Sequence, residues 1–450
     1  MHETRLLAET LAATRYKALP GHIVDDAKRA VLDWLGSALA GSLEAPARMA
    51  RKVAAGLGTS AEARVFPRGR ASAAAAALAN GVASHILEFD DVHKGSTLHA
   101  GAPVISAALA MAEREHRSGA DFLAAIVIGY EAALRIGEAV NPSHYRFFHP
   151  TGTAATFGAA AAAGHLLNLN AAQMLDALGT AGTQAAGLWE FNADGAMSKH
   201  LHPGKAAFNG ILAADLAREG FTGATRILEG DRGFFRAMST VFQATRITEG
   251  LGTHWKIAEN CFKMHSCCAH THTAIDTALL LGAQIEGKIE SVRLRTYGPG
   301  YEIVRQHDPA TPYQARFSLA YCTAAALLEG RVGLAQFDAA RFSAEGLVEP
   351  AIHSLLPCIH IEVDEVLTGM YPERWPVRME IRLANGNVLT AGSEFPRGNP
   401  ENPVATVELE DKFRGLVEPS FGAKVVQRSI ELVHHLSSVA DMARVFSELP

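Results

Sequence analysis

Apolar positions in the first 260 residues recur at helical spacing. Between Ile23 and Leu39 they fall at Ile23, Ala27, Ala30, Val31, Leu32, Leu35 and Leu39, which predicts a helix with one buried face. Ala102 to Ala112 and Asp121 to Ile136 continue the pattern. Their Ala and Gly content lets backbones approach closely, so a compact bundle is expected. No fixed-period repeat of the solenoid kind is present. After about Asn260 the period changes to two. Ile289 to Tyr297, His360 to Asp364 and Val377 to Leu383 alternate apolar and polar residues, the signal of half-buried strands. Asn385-Gly386 then predicts a type I′ hairpin turn, with Val388 to Thr390 returning as a strand. Ala315 to Leu328 reads as a helix, and so do Leu409 to Leu416 and Val426 to Leu436. The last two need a partner for their apolar faces, and the N-terminal bundle is the natural one. The expected fold is therefore mainly α with an α+β insertion. A helical domain over 1–262 resumes at 397–450, and the smaller domain spans 263–396. The Pro- and Gly-rich segment from Phe395 to Pro403 is expected to be a hinge.

Composition narrows the class. Of 450 residues, 48% are hydrophobic and 20% charged, which excludes disorder and supports a large core. The net charge of −6 argues against a nucleic-acid partner. Mean hydropathy is slightly positive, yet no apolar run reaches ~18 uninterrupted residues, so no membrane span is expected. Met1-His2-Glu3-Thr4-Arg5 lacks the basic-then-apolar order of a signal peptide. Five cysteines, an odd number, fit a reducing compartment better than a disulfide framework, and a cytoplasmic location is expected. Neither a dinucleotide nor a P-loop glycine motif occurs, nor the Gly-x-Ser-x-Gly of a serine hydrolase.

Candidate chemistry concentrates in four segments. The first runs from Glu88 through Asp90, Asp91, His93, Thr97 and His99 to Pro103. Its carboxylates and imidazoles suit acid–base work or metal ligation, and equally the capping of helices. The second, Tyr145 to Thr153, places His149 just before an Ala-rich helix, whose positive end suits an anion. The third, Glu190 to Ala207, carries Lys199, His200, His202 and Lys205. It reads as a polar loop between apolar helices, with lysines that either clamp carboxylates or are simply solvated. The fourth, Phe262 to Ala274, holds His265, Cys267, Cys268, His270 and His272. The composition suggests zinc but the spacing matches no common zinc motif. A non-catalytic metal protein built on this segment is the alternative class.

Together these segments resemble the MmgE/PrpD family, which includes 2-methylcitrate dehydratase, cis-aconitate decarboxylase and iminodisuccinate epimerase. The resemblance starts at Ala27 to Gly36. It passes through Glu88 to His93 and His99 to Val104, and is strongest over Asp194 to Ala207 and His270 to Asp276. It closes with Gly398 to Pro403 ahead of Leu409 to Arg414. It implies a large all-α domain with a smaller α+β lid, a homodimer, and no metal or organic cofactor. By analogy with the decarboxylase branch, the pocket would lie between the domains, at positions matching Asp91, Thr97, His99, His149, Lys199, His272 and Tyr321. The roles implied are acid–base work for the three histidines and Tyr321, and orientation of a histidine by Asp91. Lys199 and Thr97 would bind a small polycarboxylate substrate. One departure stands out: Ala269 takes the place of an Arg common in the family, which leaves the acid open. Dehydration of a 2-methylcitrate-like acid is the first expectation. Epimerisation of an amino-dicarboxylate such as iminodisuccinate follows, then decarboxylation of the cis-aconitate type.

Overall fold

A computed structural model of the protein describes residues 2–343 and 346–445. The fold is mainly helical with a small α+β part, and it divides into two units. The larger comprises Met1–Ile86, Asp90–Cys261 and Ala405–Pro450; the smaller comprises Leu87–Phe89 and Phe262–Val404. Among the described residues no helix is long and apolar enough to cross a membrane.

In the larger unit the helix Ala154–Leu166 is buried along its whole length, and Gly101–Arg114 nearly so. Such helices are apolar all round and form the centre of the unit, packed against Gly119–Val140. The last of these starts with a capping box, Ser118 against Asp121. Small residues set the spacing. Gly81 of helix Ala73–His85 faces Gly204 of helix Ser198–Arg218 so closely that a Cβ at 81 would lie 2.8 Å from the Gly204 Cα. The C-terminal helices Thr406–Phe421 and Ala423–His434 belong to this unit. Phe413 packs on Gly36, and the buried Lys412 pairs with Asp33 at 2.5 Å.

The smaller unit is built on a four-stranded sheet in the order Val388–Ser393, Val377–Leu383, Ile289–Thr296, Ile359–Val363. The first three pair antiparallel and the last pair is parallel. Val292, Leu294, Val377, Met379, Ile381 and Leu383 point inward, as the alternation requires, and join a core with helices His272–Gly282 and Leu319–Glu329. The hairpin forms, but its turn differs from expectation. Only Gly386 takes a positive φ, +87°, and its N–H donates to the Leu383 carbonyl at 2.9 Å. That is a type I turn followed by a left-handed glycine, which needs one left-handed residue where type I′ needs two. The Pro/Gly segment is also tied down. Gly398, at φ +95°, accepts from the Phe262 N–H at 3.0 Å, and a Cβ there would lie 1.9 Å from the Phe262 carbonyl oxygen. The Arg397 N–H donates to Asp276 at 2.7 Å. These contacts keep 397–404 with the smaller unit, so the chain re-enters the larger one at Ala405.

Candidate active site

In the larger unit the segment after His85 runs through Asp90 and Asp91 to a short two-stranded ladder, Val92–His93 with Asn260–Cys261. Asp91 is fully enclosed. One carboxylate oxygen accepts from the Gly101 N–H at 3.0 Å, capping the following helix. The other accepts from the Tyr130 hydroxyl at 2.5 Å and from the Asn260 amide at 2.8 Å. Burial, then the nearby Asp33 charge, pushes its acid up to about 7 against the hydrogen bonds from Tyr130 and Asn260. Its carboxylate therefore does not orient a histidine. The backbone carbonyl of Asp91 does so instead, accepting from His99 Nδ1 at 2.7 Å. A carbonyl only accepts, so Nδ1 carries the hydrogen, and in the neutral ring Nε2 is the basic nitrogen. The carboxylate that faces histidines is the neighbouring one: Asp90 Oδ2 lies 2.7 Å from His85 Nδ1 and 3.4 Å from His99 Nδ1.

His149 joins this group. Its ring stacks on His85 at 5.7 Å and lies 6.1 Å from His99. Trp189 and Phe191 pack against it edge-on. Its Nδ1 sits 3.0 Å from His202 Nδ1. One nitrogen must donate and the other accept, so the two rings cannot both be cations in this contact. Burial first, then the charges of His202 and Lys199, holds His149 well below the ordinary histidine value. Burial lowers His202 to about 3. Lys199 is buried in the first turn of helix Ser198–Arg218. The loop expected over 190–207 is thus mostly helix. Its Pro203 is tolerated because it forfeits only the hydrogen bond to the Lys199 carbonyl near the helix start. Lys205 is spent on structure, donating to the Gln184 and Ala186 carbonyls at 3.0 and 3.1 Å.

Thr97 lies in the same segment with a left-handed backbone, φ +49°. Its hydroxyl donates to the Ser96 carbonyl at 2.8 Å, and Asn141 lies at 3.5 Å. This is a turn-holding role rather than an exposed donor. Nearby, His93, Glu138 and Glu259 come close enough to ligate an ion. Lys256, however, already places its ammonium 3.0 Å from Glu138 and 2.9 Å from Glu259.

The smaller unit holds the second cluster. His265 Nε2 pairs with Asp276 at 2.9 Å, and His270 Nδ1 with the Tyr297 hydroxyl at 2.7 Å. His272, enclosed and lowered by burial, lies against Cys267. Cys267 Sγ is 3.1 Å from the Thr271 hydroxyl. Burial would raise that thiol, but Cys322 and the His272 ring outweigh it and hold it well below its ordinary value. All five cysteines are free thiols. Lys263 donates to the Glu88 carbonyl at 2.9 Å, with the Glu88 carboxylate at 3.5 Å. Tyr321 is elsewhere in this unit. It is completely buried, its ring against Phe337 and Phe342 and its hydroxyl donating to the Gln336 carbonyl. The proton donor expected at this position is a core tyrosine.

Of the seven positions expected, the structure brings His99, His149, Lys199 and the Asp91 backbone into one neighbourhood of the larger unit. His272 belongs to the cluster described within the smaller unit, and Tyr321 and Thr97 have their hydroxyls occupied. Three residues of the larger cluster lay outside the expected set. His85 ends an Ala-rich helix that reads as packing, and only its five-residue spacing to Asp90 could have flagged it. His202 was visible but assigned to a loop. Asp90 was passed over for its neighbour.

The chain is 28% identical to the cis-aconitate decarboxylase-like protein oryM of Aspergillus oryzae, over 95% of this chain and 93% of that one. It is 26% identical to the human cis-aconitate decarboxylase, over 97% and 92%. Against the cis-aconitate decarboxylase of Aspergillus terreus it is 28% identical, over 82% and 79%. The MmgE/PrpD N-terminal domain matches residues 5–246 and the MmgE/PrpD C-terminal domain residues 265–438, so the chain belongs to the MmgE/PrpD family.

Proposed function

We propose that this protein is a cofactor-independent lyase that removes a carboxyl group from an unsaturated tricarboxylate of the cis-aconitate type. The observation that carries the reading is the gathering of the buried Lys199 with His85, His99, His149 and His202 in one neighbourhood of the larger unit. Such a concentration of cation-forming groups suits a polyanion. Binding the acid raises the proton affinity of His149 and His202, because its negative charge offsets their burial. The relatives support decarboxylation ahead of dehydration, which reverses the order expected from the sequence.

Breaking the bond to a departing carboxylate leaves an electron pair that must be accommodated. Conjugation with the existing double bond moves that pair into a new one, and the old one takes up a proton at its far carbon. Lys199 neutralises a retained carboxylate and so stabilises the charge that develops next to it. His99 and His149, each with Nδ1 engaged, direct Nε2 to proton exchange. Incubation of the purified protein with cis-aconitate or 2-methylcitrate in deuterium oxide, followed by proton NMR and carbon dioxide detection, tests the reading. The expected result is carbon dioxide in equal amount to the cis-aconitate consumed, with one deuterium in the product. Loss of water from 2-methylcitrate without carbon dioxide from cis-aconitate would establish the dehydratase instead.

A further inference from the structure

We propose that His85, held by Asp90, is a further acid–base residue of this site, at the centre of the histidine cluster. This rests on the lyase reading above and adds a member to its machinery. His85 is the last residue of helix Ala73–His85. Its side chain is completely enclosed. Nδ1 donates to Asp90 Oδ2 at 2.7 Å, the geometry by which a carboxylate fixes a catalytic ring in one tautomer and stabilises its cation. Nε2 is buried and has no hydrogen-bond partner among the described residues. Buried polar atoms of a native fold are almost always satisfied, so an orphaned imidazole nitrogen marks a position that a ligand atom fills. The ring is also central. It lies 4.8 Å from His99, 5.7 Å from His149 and 6.5 Å from His200. The charged and titratable groups around it are thus Asp90, His99, His149 and His200, with His202 beyond His149.

A metal held by His85, Asp90 and His99 is the obvious rival, since their ligand atoms lie within 4.8 Å of one another. The 2.7 Å contact argues against it. Nitrogen and oxygen ligands at ~2.0–2.1 Å from a tetrahedral zinc stand ~3.3 Å apart, so an ion cannot sit between atoms already joined by a hydrogen bond.

In the step assigned to the dyad, the Nε2–H bond of the His85 imidazolium breaks and its proton goes to the substrate carbon. The bond to the departing carboxylate breaks, its pair forming the new double bond, and carbon dioxide leaves. The neutral imidazole then takes a proton from water. One proton is consumed per turnover, and Asp90 remains a carboxylate throughout.

The test pairs kinetics with a binding readout. In H85N the amide keeps the donor to Asp90 but has no Nε2 and does not titrate. Its kcat should fall ~10²–10⁴-fold with KM changed less than about threefold, and one limb of the pH–rate profile should disappear. D90N should show a smaller loss of the same kind. In H85A, added imidazole should restore part of the rate in a pH-dependent way. Separately, the His85 Nε2 resonance of the wild-type protein should move when tricarballylate, a saturated tricarboxylate, is added. If H85N keeps kcat and the full pH profile while the wild type turns over cis-aconitate, the dyad is excluded and the lyase reading stands. Where the wild type is inactive on cis-aconitate and 2-methylcitrate but His85 still responds to tricarballylate, the lyase reading fails and the dyad survives as an anion-site group. A silent His85 resonance, or a stoichiometric metal that H85N loses, overturns the proposal. If H85N does not fold, D90N and the wild-type titration decide the matter.

Discussion

The two histidine clusters differ in how their rings are satisfied. In the smaller unit His265 has Asp276, His270 has Tyr297, and His272 has Cys267. Each ring has its own partner. In the larger unit His85 and His99 share the Asp90 carboxylate, His149 and His202 face each other, and Lys199 adds a charge. Cation-forming groups are gathered there instead of being paired off one by one. A cluster whose rings are paired off singly can be structural, whereas one that gathers such groups suits a bound anion.

The largest effect expected on breaking this contrast is in His149→Asn. The amide keeps a polar atom towards His202 but cannot exchange a proton, so turnover should fall ~10²–10⁴-fold in a variant whose circular dichroism is unchanged. His270→Asn in the self-contained cluster should lose less than about tenfold; a larger loss would bring that cluster into the chemistry. Next comes Lys199→Met. Removing a charge-assisted contact worth ~1.5–3 kcal/mol should weaken tricarboxylate binding by about 10- to 150-fold in calorimetry. Lys205→Met should leave that affinity alone, since its ammonium serves two carbonyls. Equal effects would mean that the lysines act only through the net charge of the helix.

The pH dependence of stability carries opposite signs within the larger unit. Asp91, raised to about 7, binds a proton when folded and loses it when unfolded at any pH between about 4 and 7. Its contribution is complete below about 4 and is lost as pH rises towards 7, by up to ~1.4 kcal/mol per pH unit. Asp91→Asn should flatten that part of the profile in urea denaturation. The buried histidines act the other way. His144 and His165 are held to about 4 and His202 to about 3, chiefly by burial, so their stabilisation is present above pH 6.5 and lost as pH falls towards those values. The smallest effect is reserved for Tyr321→Phe. It removes one hydroxyl bonded to a carbonyl, costs ~0.5–1.5 kcal/mol of stability, and should leave turnover within about threefold. Abolished turnover would put the tyrosine back in the site.

The strands and most helices were legible because their apolar residues keep a period that burial enforces; Val377–Leu383 was read to the residue. The start of helix Ser198–Arg218 was missed because Lys-His-Leu-His-Pro-Gly has poor intrinsic preference for a helix, and packing against Ala73–His85 and Ala154–Leu166 overrides it. The choice between Asp90 and Asp91 was beyond the sequence. Adjacent residues point in different directions, and which one meets a histidine depends on the backbone path after the left-handed Glu88. Tyr321 was placed by resemblance alone, and the register of its helix turns it into the core instead. The chemistry was legible as composition, and the pairing of its members was not.

The contact between Gly81 and Gly204 has a consequence for how this enzyme can change. The two helices it joins carry His85 on one side and Lys199, His200 and His202 on the other. Their separation is set by bare backbone, so it works as a fixed gauge between those side chains. A methyl at either position would push the helices apart without touching any of those side chains, and a displacement of ~1 Å can cost 10²-fold in rate. Mutational scanning should therefore find two positions with no chemistry of their own where activity falls well before stability does. Adaptation to a new acid has to proceed through the side chains lining the cluster, because the spacing beneath them admits no intermediate steps.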